Sequence, residues 1–463
     1  MDFIISNNLR VKKPSLEFLA WVKTNYSVRN PEYIKKQRLG LWLADTPEYL
    51  RIFDIDGEDL ILPYGVFESI PIFAWKGTSL YVEFKDNPRV DYNAEIPLYS
   101  YQMDALNTML NENCGILQAP AGSGKTRMGI SLFTQMGMKT LWICNKLDLV
   151  TQAKNAALEF IDKSLIGTIQ GGKVNIGKGV TFATVQTLSK IDLIQFRDTW
   201  DVIIVDECHN VSGTTSSLTM YRKVLGNLNA RHKYGLSATV HRSDGMIKTT
   251  YSLLGKVKYE VPREAVFDKI MKVGIKSIQT NVGLSTDMVG TDGMLNYTNM
   301  ITSLTNNDDR NKLIVENLIE CKDHHVIVLS ERVAHLQALY DSLPEELKET
   351  AYVVSNMGKR VKDKEKRTRI YNKLGRSKSG YLFATYALAK EGLNIPPLDR
   401  VFFTTPIKDK AVVTQAIGRV ARIHDGKEDA LCYDFVDNYP YSQKAYRQRV
   451  STYKKNESYF VED

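Results

Sequence analysis

The run GILQ, APAGSGKT, RMGISLFTQM, residues 115–136, constrains the fold more than any other stretch of the chain. GILQ (Gly115 to Gln118) is short and apolar enough for a buried strand, and the apolar spacing of RMGISLFTQM suits a helix. Between them, Gly122, Ser123 and Gly124 let the backbone curl so that successive N–H groups face one point, beside the positive end of the following helix. A strand, a glycine loop and a helix in this order form a cradle for phosphate. Lys125 then reaches the β- and γ-phosphates and the Thr126 hydroxyl is placed for Mg²⁺. Glycine-rich turns also serve as plain connectors, but GKT at the start of a helix is where phosphate binding needs it.

Downstream, VIIVDECH (Val202 to His209) is an apolar run that ends abruptly in two acids. This puts Asp206 and Glu207 at the carboxyl end of a strand, where open α/β sheets bind ligands. Asp206 suits the Mg²⁺ shell and Glu207 suits orienting or deprotonating a water. An acid that merely ends a strand would explain Asp206 alone, but not its pairing with a phosphate loop. The expected cofactors are ATP and Mg²⁺.

A chain of 463 residues is too long for one core. Residues 1–95 alternate short strand-like runs (LRIFDI, DLILPYG, SLYVEF) with turn signals and suggest a small α+β module. Over residues 96–262, strand and helix patterns alternate, with GILQ, TLWIC, VTFAT, DVIIVDE and YGLSAT as strands, which is the signature of a parallel sheet covered by helices. A polar stretch, Thr280 to Asp309, reads as a mobile loop or linker. Residues 263–463 then resume the same grammar with HVIVLS, AYVVS, YLFAT, RVFFTT and ALCYDFV, without a second phosphate loop. The expected class is therefore α/β, with two parallel-sheet domains in tandem behind a small N-terminal α+β domain. Five scattered cysteines form no CxxC pair, so neither a zinc module nor a disulfide framework is expected. With neither a signal-peptide core nor a membrane-spanning run, the expectation is a soluble protein of the cytoplasm, the host's if phage-encoded.

The order of motifs between Leu98 and Phe435 resembles the superfamily-2 helicases and translocases, whose two sheet domains are RecA-like. LYSYQMDAL looks like the adenine-reading Q motif, with Gln102 as the base contact; Tyr99 stands where the family often has arginine. WICNKLDLVTQ resembles motif Ia and ATVQTL motif Ib, which touch nucleic-acid backbone in this family. VDECH matches motif II, and LSAT, with Ser237, Ala238 and Thr239, matches motif III, which links hydrolysis to strand movement. VIVLSER sits where motif IV belongs. ATYALAKEGLNIP resembles motif V, with Asn394 in place of the commoner aspartate. QAIGRVAR (Gln415 to Arg422) is similar to motif VI. There the resemblance implies Gln415 as a nucleotide contact, Arg422 as a finger on the γ-phosphoryl group and Arg419 as its phosphate-contacting neighbour. Charge spreading over the γ-phosphoryl oxygens in the transition state is what a planar guanidinium stabilises. HRSDG (His241 to Gly245) resembles the branch that includes the repair translocase XPB, type I and III restriction motor subunits and phage branch-migration helicases of the UvsW type, and the leading NPEYIKKQRLGLW with DLILPYG is similar to the small leading domain of the phage enzymes, those of T5-like phages among them.

The formal net charge of +8 fits a polyanionic partner, here DNA, branched or duplex. Two stretches are locally basic. Arg10 to Arg38 interleaves its cations with Trp21, Tyr26 and Tyr33, a mixture able to bind phosphates and stack on bases. Lys359 to Lys378 carries ten cations, among them Lys364, Lys366 and Arg367, against Asp363 and Glu365, and allows phosphate tracking. The sequence leaves open a motor subunit of a restriction-type complex, or an RNA helicase.

Overall fold

The computed structural model describes the chain apart from residues 44, 121, 213–214, 239–245, 263, 268–270, 291–292, 355–360, 391–392, 394, 455–458 and 463, together with the side chains at 215–217, 266–267, 361–362, 364, 390, 411 and 460–462. It packs as two units, Met1–Arg263 and Glu264–Asp463.

The first unit begins with strands β1 (Asp2–Ile5), β2 (Asn8–Lys12), β3 (Ser27–Arg29), β4 (Tyr49–Arg51), β5 (Asp54–Asp56), β6 (Asp59–Pro63) and β7 (Ser79–Val82). Five of them form a mixed sheet in the order β5-β6-β2-β1-β7. The helix Leu16–Asn25 covers it: Ser15 Oγ accepts from Phe18 N, fixing the helix start, and Phe18 and Val22 turn into the core. Trp21 stacks on Phe18 at 5.4 Å and Tyr26 is buried. The expected platform of Trp21 and Tyr26 for bases is therefore a piece of the core, because aromatic rings in a small module are needed to fill it.

The module shares its core with the parallel sheet that follows, built from β8 (Cys114–Gln118), β9 (Thr140–Cys144), β10 (Ile166–Gln170), β11 (Lys173–Asn175), β12 (Val180–Thr184), β13 (Val202–Asp206), β14 (His232–Ser237) and β15 (Val257–Glu260). The order is β11-β10-β12-β9-β13-β14-β8-β15, with every pairing parallel except the β10–β11 hairpin. β9, β12 and β13 are buried at every position, which is why their sequences are largely apolar, broken only by Thr140, Thr181, Thr184 and the terminal Asp206, instead of alternating.

Among the residues that join module and sheet, one is a fully buried lysine. Lys233, the second residue of β14, has no exposed surface; its Nζ donates to Asn7 O at 2.7 Å and Leu225 O at 3.1 Å, and lies 4.8 Å from the Tyr64 ring centroid. Burial pulls its ammonium down to about 7. Between about pH 7 and the ordinary lysine value the unfolded chain thus binds a proton that the folded chain does not, so this group makes stability rise with pH across that window. Urea titrations of the wild type against Lys233→Met from pH 7 to 9 should show the wild type gaining up to about 1.4 kcal/mol per pH unit over the variant. Parallel pH profiles would contradict this.

The second unit holds β16 (Val273–Gly283), β17 (His325–Ser330), β18 (Ala351–Val353), β19 (Gly380–Thr385), β20 (Arg400–Phe403), β21 (Leu431–Asn438) and β22 (Tyr459–Glu462). They form one parallel sheet, β18-β19-β17-β20-β21-β16-β22. The stretch Thr280 to Asp309 is not a linker. It completes β16 and then forms the helix Tyr297–Thr305 and the start of the helix Asp308–Glu320. Two of its asparagines, which suggested a loop, are helix N-caps: Asn296 accepts from Asn299 N at 3.1 Å and Asn307 from Arg310 N at 2.8 Å. Met288, Met300, Ile301 and Leu304 pack with Tyr439 into a small core of their own.

Among the described residues, no helix is long and apolar enough to cross a membrane.

Candidate nucleotide site and family

The phosphate loop leaves the end of β8 at Ala119, whose N–H donates to Ser237 O on the neighbouring β14 at 2.9 Å. Gly122 and Gly124 have φ of +84° and +79°, the left-handed region that glycine enters without strain. A Cβ at Gly124 would also come within 2.5 Å of Gln102 Nε2. The loop is braced from inside by Ser123 Oγ donating to Pro120 O at 2.7 Å. It is braced from outside by Gln102 Nε2 and Tyr101 Oη, which donate to Ser123 O at 2.8 and 3.1 Å. Gln102 is buried, and its Oε1 accepts from Tyr99 N at 3.0 Å, so both ends of this amide hold protein backbone. The helix Lys125–Met136 then starts without a side-chain cap, leaving the N–H groups of its first turn for another acceptor. Lys125 Nζ rests 3.2 and 3.4 Å from the carbonyls of Ala119 and Pro120, and Thr126 is half-buried.

The acid pair lies at the end of β13, on the same edge of the sheet. Asp206 is buried and its Oδ1 accepts from Glu207 N at 2.9 Å. Burial, then the charge of Glu207, push the Asp206 carboxyl up to about 7, against the pull of Lys125. Glu207 has a φ of +49°, rare for a residue with a side chain and a kind of strain that concentrates at functional sites. Two acids this close, one of them buried, are relieved by a cation. Among the described residues no group of three or more His, Cys, Asp or Glu is arranged to hold a metal alone. Mg²⁺ asks for less: one or two carboxylates, with waters and substrate phosphates completing its shell.

Sequence reasoning missed one link. His209 Nδ1 lies 3.2 Å from Glu207 Oε2 and 3.0 Å from Ser237 Oγ, so a single imidazole bridges the acid pair and the end of β14. The letter was visible in DECH, but its partner is 28 positions away. Ser237 is fully buried and Ala238 half-buried; Thr239 and His241 to Gly245 lie outside the described residues.

In the second unit, Gln415 and Arg419 are on the helix Lys410–Val420 and Arg422 follows it. Gln415 Oε1 is buried without a hydrogen-bond partner. The Arg419 guanidinium donates to Ala389 O through Nε at 3.1 Å and Nη2 at 2.7 Å, and to Leu393 O, clipping this helix to the segment after β19. Arg422 is half-buried, and desolvation lowers its affinity for the proton. Of the second basic stretch, Lys359, Arg360 and Asn394 of the neighbouring motif lie outside the described residues, as do the side chains of Lys362 and Lys364. Arg367 is buried, so it is not part of a phosphate-tracking face. Its position in the helix Val361–Leu374 turns it inward, as charge counting cannot show.

Two protein families match the chain: one described as type III restriction enzyme, res subunit, over residues 95–242, and the helicase conserved C-terminal domain over residues 309–424. The chain is 27% identical to L396 of Acanthamoeba polyphaga mimivirus, named as an ATP-dependent RNA helicase, over 70% of this chain and 60% of that protein. It is 25% identical to the ATP-dependent DNA helicase UvsW of Enterobacteria phage T4, over 75% of this chain and 70% of that protein. It is 22% identical to the helicase D10 of Escherichia phage T5, over 74% and 72%. With a phosphate loop and acid pair on one sheet edge and both helicase domains matched in order, the chain is a nucleotide-hydrolysing helicase of superfamily 2, similar to the phage helicases UvsW and D10.

Proposed function

We infer that the chain is an ATP-driven DNA translocase that remodels branched DNA, by branch migration, fork reversal or duplex unwinding. The observation that carries this is the meeting of the uncapped loop at Gly122 to Thr126 with Asp206, a buried acid held near 7 beside Lys125. Mg²⁺ and ATP, when bound, supply the phosphoanhydride whose cleavage drives the cycle. The loop N–H groups and Lys125 would hold the phosphates, Thr126 and Asp206 would hold the metal, and Gln102, the expected base contact, braces the loop through Ser123 O. Glu207 orients the attacking water and takes its proton. His209 passes the change at Glu207 to Ser237 and Ala238 of the coupling motif. Gln415, Arg419 and Arg422 supply the contacts from the second sheet domain, with Arg422 as the finger. The division of labour follows residues 1–95 as an accessory DNA-contacting module and 96–262 and 263–463 as the two motor domains. The likeness to UvsW, named as a DNA helicase, favours DNA, and the setting that goes with this reading is phage recombination, replication or repair.

The name of the mimivirus relative supports RNA as a second reading of the substrate. ATP hydrolysis measured against single-stranded DNA, duplex, a four-way junction and RNA separates the two. Junction DNA should stimulate most, and a preference for RNA would overturn the DNA reading.

A further inference from the structure

The carboxyl edge of the second sheet carries a cluster that meets the motifs only at Glu331, in VIVLSER. β16, β17, β20 and β21 run parallel, so the segments that follow them emerge on one edge. Tyr297 comes from the helix after β16, Glu331 follows β17 and Lys408 follows β20. Tyr441 and Lys444 lie on the helix Pro440–Tyr453, after β21. Tyr297 Oη donates to Glu331 Oε2 at 2.5 Å, the Tyr297 and Tyr441 rings are 5.6 Å apart, and Lys408 Nζ sits 3.2 Å from the centroid of Tyr441. The acid of the cluster is thus engaged by a tyrosine, while the charge that bears on Lys408 is a second cation. Burial and Lys444 together hold the Lys408 ammonium below the ordinary lysine range. The helix start adds a third positive element. Pro440 occupies its first turn and Tyr439 does not cap it with its side chain, while the buried Asp437 carboxylate just before it is taken up by Arg310, Thr280 and Ser442 Oγ, so no side chain of Tyr439 competes for the N–H groups there. Tyr439 is turned into the core instead, packed with Met300 and Leu304.

An ammonium seated on an aromatic ring, with a second, exposed ammonium bearing on it and a helix N-terminus beside it, is stabilised by an anion, and the half-buried Tyr441 ring is able to pack on a sugar or base next to it. We propose that Lys408, Lys444 and the first turn of the helix Pro440–Tyr453 hold a backbone phosphate of a bound nucleic-acid strand, with Tyr441 packing against the adjoining nucleotide. The proposal rests on the nucleic-acid reading above and adds a contact outside its motifs, built in part by the segment that sequence alone reads as a linker.

The test uses the full chain and a fluorescein-labelled single-stranded oligonucleotide, with binding followed by anisotropy across a sodium chloride series. Replacing both lysines (Lys408→Gln with Lys444→Gln) should weaken binding about 3- to 10-fold at low salt. It should also lower the slope of log affinity against log salt by about 0.7, the share of one single-strand phosphate. The paired Lys→Arg variant should keep the wild-type slope, and the unfolding midpoint of all three should coincide. An unchanged slope in the glutamine variant, with wild-type binding intact, overturns this contact alone. A wild type that binds no oligonucleotide at any salt overturns the nucleic-acid reading with it. A thermal shift with inorganic phosphate, lost in the glutamine variant while the oligonucleotide slope stays the same, would assign the site to free phosphate and also overturn the proposal.

Discussion

Replacing Lys125 by alanine should abolish ATP hydrolysis and leave the fold intact. The side chain reaches back over the loop to two neutral carbonyls, Ala119 at 3.2 Å and Pro120 at 3.4 Å, both near the outer limit of a hydrogen bond. Little folding energy is at stake in such contacts, and the change in stability should stay within about 0.5 kcal/mol, as for sites without a packed or paired role. The catalytic loss has two sources. The ammonium is the point charge that meets charge developing on the β- and γ-phosphates, and removing one such preorganised donor typically lowers kcat by about 10²- to 10³-fold. It is also the group that pulls the Asp206 carboxyl down, so its loss drives Asp206 further toward the protonated form, a poorer metal ligand. Phosphate release at saturating ATP and junction DNA, beside a thermal melt, checks both halves. Full DNA-stimulated turnover in Lys125→Ala would remove the assignment of this loop.

Much of the architecture was legible because its strands are buried on both faces. GILQ, TLWIC, VTFAT, VIIVD and HVIVLS are short apolar runs, and each became a strand. What escaped were strands whose burial is partial. β10 alternates, β15 has no fully buried position, and β16 is buried only over Val273 to Ile275 before it becomes half-exposed. Their signal is weak because only one side meets the core. The segment after β16 escaped for another reason. The residue that completes its core, Tyr439, lies more than a hundred positions away, so no local window contains the contact that makes its helices worthwhile.

The site divides in the same way. Lys125, Thr126, Asp206 and Glu207 were readable because the chemistry needs contiguous letters: a loop that curls, and a strand that ends in two acids. The braces were not. Gln102 was expected at the base of a nucleotide, while its amide is found spanning Tyr99 N and Ser123 O. The bridge from Glu207 to Ser237 depends on a left-handed backbone at Glu207 that turns His209 toward β14, a conformation no propensity favours. Arg367 shows the converse, a cation in a highly charged run that folds inward.

Arg422 and Arg419 should separate in their effects, although they sit one turn apart in the same motif. If Arg422 is the finger, its guanidinium acts on charge that develops only in the transition state, so Arg422→Ala should lower kcat by about 10³-fold with a small change in the KM for ATP. Arg422→Lys should recover little, since an ammonium offers neither the planar fork nor the delocalised charge. Arg419 is different because it already has work in the structure: its guanidinium holds the carbonyls of Ala389 and Leu393. Removing it leaves those acceptors unpaired and frees the segment after β19 from the helix Lys410–Val420, so Arg419→Ala should lower the unfolding midpoint as well as turnover. The same pair of measurements, steady-state hydrolysis and thermal unfolding, reads both variants. A stability loss in Arg422→Ala as large as that in Arg419→Ala would make both residues structural clips and leave the γ-phosphoryl charge without an arginine. Turnover that survives in Arg422→Ala but vanishes in a stably folded Arg419→Ala would move the finger by one helical turn. That second result would require the Arg419 side chain to leave Ala389 and Leu393 when nucleotide binds, coupling the segment after β19 directly to the nucleotide state.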